Sequence, residues 1–323
     1  MMAVTTGQDR DFELTIRRVA YLVLAALCAA PFFATNSFYV HLAVLICLNV
    51  AIVGGLALIC RTGQLPLGHG AFVGLGAYAA VIATMRGNWP FWLGAVAAAL
   101  LAALLAAVLG WVILRLRGVY FVLVTFAFAE LVRLVMLDWP SLTGGANGIA
   151  GIPPAALFGY VFDTKVRFYA LALVFAAAVI AFLHAFFRTP TGHAVDAVAE
   201  NPNLAEASGL SVHRIQMMAF AIGSGIAGLS GALLAHYVGF VSPESFNTGL
   251  SVAVIIMLVI GGRQSVWGPL IGSLILTPLP ELFRGAVQTQ HVFYGAALIL
   301  ILRFLPGGLA SISARFSRER GSN

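Results

Sequence analysis

Charge is what this chain has least of. Only 9% of its 323 residues are charged, against 61% hydrophobic, and mean hydropathy is +0.97. So few charges cannot cover the surface of a soluble protein of this length, which leaves a polytopic membrane protein. Lysine is nearly missing, since 17 of the 18 basic residues are arginine. The net charge of +6 is spread as single arginines between apolar runs. That scatter reads as orientation anchoring and excludes a nucleic-acid footprint.

Cysteine is also scarce. Cys28, Cys47 and Cys60 are odd in number and show no CxxC spacing, which excludes a disulfide frame and a zinc site and leaves packing residues. There is no GxxxxGK[ST] phosphate loop, no GxSxG and no HExxH. The seven histidines are dispersed, so no cluster of titratable groups of the kind an embedded enzyme needs is visible. No catalytic residue, metal ligand or cofactor is therefore assigned to the chain.

What is there is a series of apolar runs, each near the roughly 17–25 residues that a membrane helix requires. Ten spans are expected, at 19–35, 40–60, 70–85, 91–114, 119–137, 168–187, 215–236, 249–261, 267–283 and 291–305. The eighth is short enough to be re-entrant or tilted. An all-α transmembrane bundle follows, with a segment 1–18 before it, the bundle over 19–312, and a tail 313–323. With the N-terminus inside, thirteen basic residues fall on the inner side and five on the outer. That bias places both termini and the segment 189–214 in the cytoplasm. Trp89, Trp92, Trp111, Trp139 and Trp267 all lie near span ends, as an interfacial belt requires. Gly70/Gly74, Gly268/Gly272 and the strip Ala221, Gly225, Gly228 and Gly231 are small faces that let helices approach closely, within the chain or across a dimer. Five spans per half would set the halves in opposite orientation, as in an inverted repeat.

Four polar features interrupt this pattern. The longest is Thr189 to Gln216, with Asp196, Glu200 and Glu206. A turn at Thr189-Pro190-Thr191-Gly192 opens it, Ala194, Val195, Val198 and Ala205 recur at helical spacing, and Gly209 offers a stop. A short amphipathic helix for docking on another protein and a solvated loop both fit. Glu130 and Arg133 are the second feature. Counted from Val119, Glu130 lies about 17 Å into a core roughly 30 Å thick. At i,i+3 the two share a helix face, either lining a solute route or fixing the span structurally. Third, the run from Gly63 and Gln64 to His69 and Gly70 breaks the helical pattern, as a broken helix near a path or as a tight turn. Fourth, Thr143, Gly144, Gly145, Ala146, Asn147 and Gly148 form a backbone-exposing turn in the outer loop.

Several stretches together resemble the LivM-type membrane permeases of branched-chain amino acid ABC importers. They are GQLPLGHGAFVGLGAY (63–78), LRLRGVYFVLVTFAFAELVRLV (114–135), LTGGANGIAGIP (142–153), TPTGHAVDAVAENPNLAEASGL (189–210), GGRQSVWGPLIGSLIL (261–276) and LRFLPGGLASI (302–312). The resemblance implies a subunit of an importer in the bacterial cytoplasmic membrane. It would form the path with a second, homologous permease subunit, and an extracytoplasmic solute-binding protein would deliver the substrate. Two ATPase subunits would carry ATP and Mg²⁺ and drive the cycle. On the same resemblance Ala194, Asp196, Val198, Glu200, Asn201, Pro202, Ala205, Glu206 and Gly209 belong to the ATPase-coupling segment. Gln64, Glu130, Arg133, Thr143, Gly144, Gly145 and Asn147 are candidates for the path. The chain departs from the family pattern at His193, Asp196 and Ala199, where basic residues are common, and at Val119 and Pro66. Urea and short-chain amide permeases are related alternatives, and a stand-alone secondary transporter centred on Glu130 is another.

Overall fold

A computed structural model describes residues 37–279 apart from Arg117. The expected spans 19–35 and 291–305, the end of 267–283, and the segments 1–18 and 313–323 lie outside the described residues. Within them the chain is helical: α1 (Ser37–Cys60), α2 (His69–Met85), α3 (Phe91–Ile113), α4 (Val119–Leu137), α5 (Pro140–Thr143), α6 (Lys165–Phe186), α7 (Pro190–Glu200), α8 (Pro202–Ala207), α9 (Val212–Val238), α10 (Thr248–Gly261) and α11 (Gly268–Leu276). The strands are two-residue pieces. β1 (Ile149–Ala150) pairs antiparallel with β4 (Phe240–Val241), and β2 (Ala156–Leu157) pairs with β3 (Tyr160–Val161). Six segments are long and apolar enough to cross a membrane, and the 17-residue α2 is a shorter apolar helix.

The centre of the bundle is α9, which packs on α1, α2 and α3. Small residues make this possible, because helices in lipid approach closely only where side chains are absent. A Cβ on Gly76 would overlap the Gly228 carbonyl oxygen, and one on Gly231 would overlap that of Val73. Gly225 faces Ala99 and Ala103 of α3. Of the expected α9 strip, Gly225, Gly228 and Gly231 thus lie in intrachain seams. So do Gly70 and Gly74, which face Ser251 and Phe246, and Gly272, which faces Met257. Among the described residues these faces pack within the chain.

The periphery is different. Along α3 the exposed positions Trp92, Val96, Leu100, Leu104, Val108 and Trp111 are all apolar. Trp92 and Trp111 are about 28 Å apart along the axis, close to the roughly 30 Å hydrocarbon thickness. That stripe has the length and composition of a lipid-facing surface.

Candidate coupling segment and membrane path

The short helices α2 and α10 explain the interruptions in the hydropathy pattern. After α1 ends at Cys60, the chain turns and runs back into the bundle without helical structure. Along this return the Leu67 N–H donates to Thr125 Oγ1 of α4 at 3.0 Å. Gly68 lies so close to Thr125 that a Cβ would be 2.5 Å from its carbonyl oxygen. Buried His69 donates through Nε2 to the Ile52 carbonyl at 3.0 Å, eight residues back from the end of α1. So α2 begins about 12 Å inside that end of the bundle. Irregular backbone at this depth is tolerated because neighbouring protein satisfies it.

The same happens from the opposite end. After β4 the chain makes a 3₁₀ turn, Pro243–Phe246, and Asn247 caps α10 by accepting from the Leu250 N–H at 3.3 Å. The first turn of α10 meets the first turn of α2, where the Gly70 N–H donates to Ser251 Oγ at 2.8 Å. Two discontinuous helices, reached from opposite ends, therefore touch in the interior.

Three charges lie beside this junction. Arg133 of α4 is hydrogen-bonded to Glu130 through both Nε and Nη2, and its Nη1 reaches Glu244 of the 3₁₀ turn at 2.6 Å. The structure thus brings the expected pair together and adds Glu244, which the sequence reading missed because it lies 111 positions from Arg133. Glu130 and Arg133 are part-exposed on a helix whose buried face is narrow, Phe121, Thr125, Ala129, Val132 and Met136, and Glu244 is exposed on the turn beside them. Bare lipid does not suit such a surface, in contrast to the wholly apolar stripe of α3.

The Thr143–Asn147 turn is less open than expected. Buried Thr143 donates through Oγ1 to Trp139 and also lies 2.5 Å from the Met136 carbonyl, while accepting from the Gly145 N–H. Gly145 is buried and Gly144 half-buried, so only Ala146 and Asn147 of this turn are exposed. Gln64 is buried at the other end of the bundle, with its amide 3.5 Å from the Leu116 carbonyl.

At that end also lies the polar segment. Thr189 caps α7 by accepting from the Gly192 N–H, with Pro190 in the first turn. The expected single helix over 194–209 is two. Pro202 has no N–H to continue the ladder, so Asn201 takes an extended conformation, ends α7, and caps α8 by accepting from the Leu204 N–H at 3.1 Å. Asn201 and Pro202 are therefore occupied in building the bend. Val195 and Val198 are fully buried and Ala205 nearly so, packed on Leu183, Phe187, Val212 and Ala219. Ala194 is half-buried, while Glu200, Glu206 and Gly209 are exposed. Leu204, absent from the sequence-based set, is 64% exposed. Its signal was a leucine following Asn203, one position off the buried stripe that holds Ala205.

Asp196 faces the chain itself. Arg61 donates from Nε to Oδ1 at 2.6 Å and from Nη2 to Oδ2 at 3.1 Å. The guanidinium also lies 3.9 Å over the Phe187 ring. Two residues on, Gly63 packs against Ala199 of α7. The segment α7–α8 is thus tied to the stretch that leads, through Leu67 and Gly68, to the interior junction.

A polytopic helical bundle with interrupted helices has the build of a membrane permease. The chain belongs to the family described as branched-chain amino acid transport system, permease component, which it matches over residues 36–302. It is 32% identical over 315 residues to the high-affinity branched-chain amino acid transport system permease protein LivM of Escherichia coli K12, covering 90% of this chain and 73% of that protein. The LivM protein of Salmonella typhimurium is 32% identical over 271 residues, 77% of this chain and 64% of that protein. The LivH permease of Escherichia coli K12 is 32% identical over 121 residues, 36% of this chain and 39% of that protein. No solved structure matches the chain. It is a multi-pass permease subunit of the amino acid importer class, a transport component and not an enzyme.

Proposed function

We propose that this chain forms the translocation path of an ATP-driven importer for branched-chain or related hydrophobic amino acids, together with a second, homologous permease subunit. Two ATPase subunits, which carry ATP and Mg²⁺, seat on the segment 189–214, and an extracytoplasmic binding protein delivers the solute at the other end. The chain itself binds no cofactor, and its partners do not include nucleic acid. It sits in the bacterial cytoplasmic membrane with both termini inside, the segment 1–18 and the tail 313–323 flanking the bundle.

The observation that carries this reading is the tie between α7 and the interior through Arg61. A push on α7 moves Arg61 with Asp196, and the 61–68 stretch leads from there to the α2–α10 junction. Such a tie suits alternating access, in which packed helices rock about a central site. The partly charged face of α4, with Glu130 and Arg133 and with Glu244 of the neighbouring 3₁₀ turn, supports placing the second permease or the path there. The stand-alone reading rests on Glu130 as an intramembrane relay acid, and Arg133 holds that carboxylate.

The test is purification of the tagged chain from its own membranes in mild detergents, with identification of what accompanies it. ATPase subunits plus a second permease are expected. Recovery of a lone chain under every mild condition would overturn the proposal.

A further inference from the structure

The short hairpin β2–β3 stands at the end of the bundle opposite α7, and its turn is built against conformational preference. Leu157 pairs with Tyr160, leaving Phe158 and Gly159 as the two turn residues. Both have positive φ, 47° at Phe158 and 90° at Gly159. That is the geometry of a two-residue hairpin turn in which Asn, Asp or Gly normally holds the first position. An aromatic residue in left-handed backbone is an outlier, and such outliers persist where the side chain has a task.

Among the described residues, burial in the core does not supply that task. Phe158 is 85% exposed, and Tyr160 and Val161 beside it are also open. What Phe158 does touch is Trp92, with ring centroids 5.6 Å apart and planes 24° from parallel. Trp92 heads the exposed apolar stripe of α3, so Phe158 extends that lipid-facing surface sideways at the level where it ends. On the hairpin's other side the Arg167 guanidinium lies 5.6 Å over the Tyr160 ring. An aromatic tip flanked by an amphipathic Tyr–Arg pair is the composition found where a bilayer's acyl region meets its headgroups.

We propose that the β2–β3 hairpin is a membrane-interface anchor, with Phe158 seated beside Trp92 at the headgroup–acyl boundary of the leaflet opposite the α7–α8 segment. The occupant is lipid and not a protein, because the surface is continuous with a stripe of bilayer length. The anchor fixes the loop between α4 and α6 at a set depth. This inference stands on the chain's membrane-spanning build and does not depend on the solute or on ATPase coupling.

The experiment uses the full chain in lipid nanodiscs and compares Phe158→Trp with the parent. The added emission is expected to be blue-shifted and to be quenched by lipids brominated near the acyl-chain top, severalfold more than by aqueous iodide. Quenching by iodide alone would put the tip in water and overturn the proposal. Protection from both quenchers would mean that a protein surface covers the tip, and would overturn it equally. A nitroxide on Phe158→Cys, in a Cys28→Ala background, gives a second reading that does not need an aromatic tip. Relaxation by oxygen is expected to exceed that by an aqueous nickel chelate, and the reverse ratio is expected for a label on Ala207→Cys of α8. Equal ratios at 158 and 207 would also overturn the anchor.

Discussion

Arg61 and Asp196, separated by 135 positions, meet fork to fork, and Phe187 backs the guanidinium. The side chains are 19% and 41% exposed, so the pair's contribution to stability is modest, about 1 kcal/mol. Its geometry matters more, because bidentate pairing fixes orientation as well as distance. Arg61→Ala is therefore expected to leave the fold intact while loosening α7 from the 61–68 stretch. In proteoliposomes, uptake should fall about tenfold with ATP hydrolysis largely retained, and the exchange Arg61→Asp with Asp196→Arg should recover part of the coupling. Equal loss of hydrolysis and uptake would instead assign the pair to assembly.

The two faces of α7–α8 are expected to behave differently. Val198 is enclosed by Ala205 and Val212, so Val198→Asp buries an unpaired charge and should destabilise the chain outright. Leu204 is open, and Leu204→Asp should leave the melting temperature unchanged while weakening ATPase association. Losing a buried leucine contact at an interface is worth about 2 kcal/mol, roughly a thirtyfold change in affinity. Quantitative co-purification measures it, and unchanged association would remove Leu204 from the docking surface.

Among the described residues hydropathy alone located the apolar helices, six of them long enough to cross a membrane, because a bilayer's thickness imposes a length that the sequence must display. The 40–60 expectation became α1, 91–114 became α3, and 119–137 matched α4. The X-Pro signal at Thr189-Pro190 was local as well, whereas Asn201-Pro202, which divides the expected helix, stood out only as part of the docking segment. What the sequence could not display were contacts across long separations. Arg61 looked like a single orientation anchor, and Glu244 drew no reading at all. Each acquired its role only when distant helices brought Asp196 and Arg133 alongside. The inward return of 64–68 was half legible: Gly63, Pro66, Gly68 and Gly70 marked a break, but its depth is set by Thr125 and Ile52.

The inward return depends on a few hydrogen bonds from otherwise stranded amides. Thr125 Oγ1 accepts from Leu67, and Ser251 Oγ accepts from Gly70. Thr125→Val keeps the shape and removes the acceptor, which leaves a buried N–H unpaired at a cost of about 1–3 kcal/mol. Ser251→Ala should cost a similar amount, and both should lower the melting temperature in detergent. Ser230→Ala in α9, where the hydroxyl donates to Ile226 of its own helix, serves as the control.

Close seams around α9 make a steric prediction. Gly231→Ala sets a methyl against the Val73 backbone, where no flexible side chain can yield. Overpacking of this kind costs about 1–3 kcal/mol. Val108→Ala, on the open face of α3, changes more atoms yet should shift the melting temperature far less, because Val108 is exposed among the described residues.

The Glu130–Arg133–Glu244 group supplies a charge test. With Arg133 present one positive charge serves two carboxylates, so Arg133→Gln leaves both unpaired beside each other. At membrane depth an uncompensated charge costs about 2.5–3.5 kcal/mol on insertion scales. Glu130→Gln removes one carboxylate and leaves the Arg133–Glu244 contact in place. Arg133→Gln should therefore reduce the amount of assembled complex strongly and Glu130→Gln only mildly. The double variant should recover part of the loss, because it removes a charge that the single variant stranded. Native gel quantification gives the assembly term, and uptake per assembled complex separates it from transport. If Glu130→Gln abolishes uptake at full assembly, the carboxylate contacts the moving solute, and the pair belongs to the path rather than to the contact between subunits.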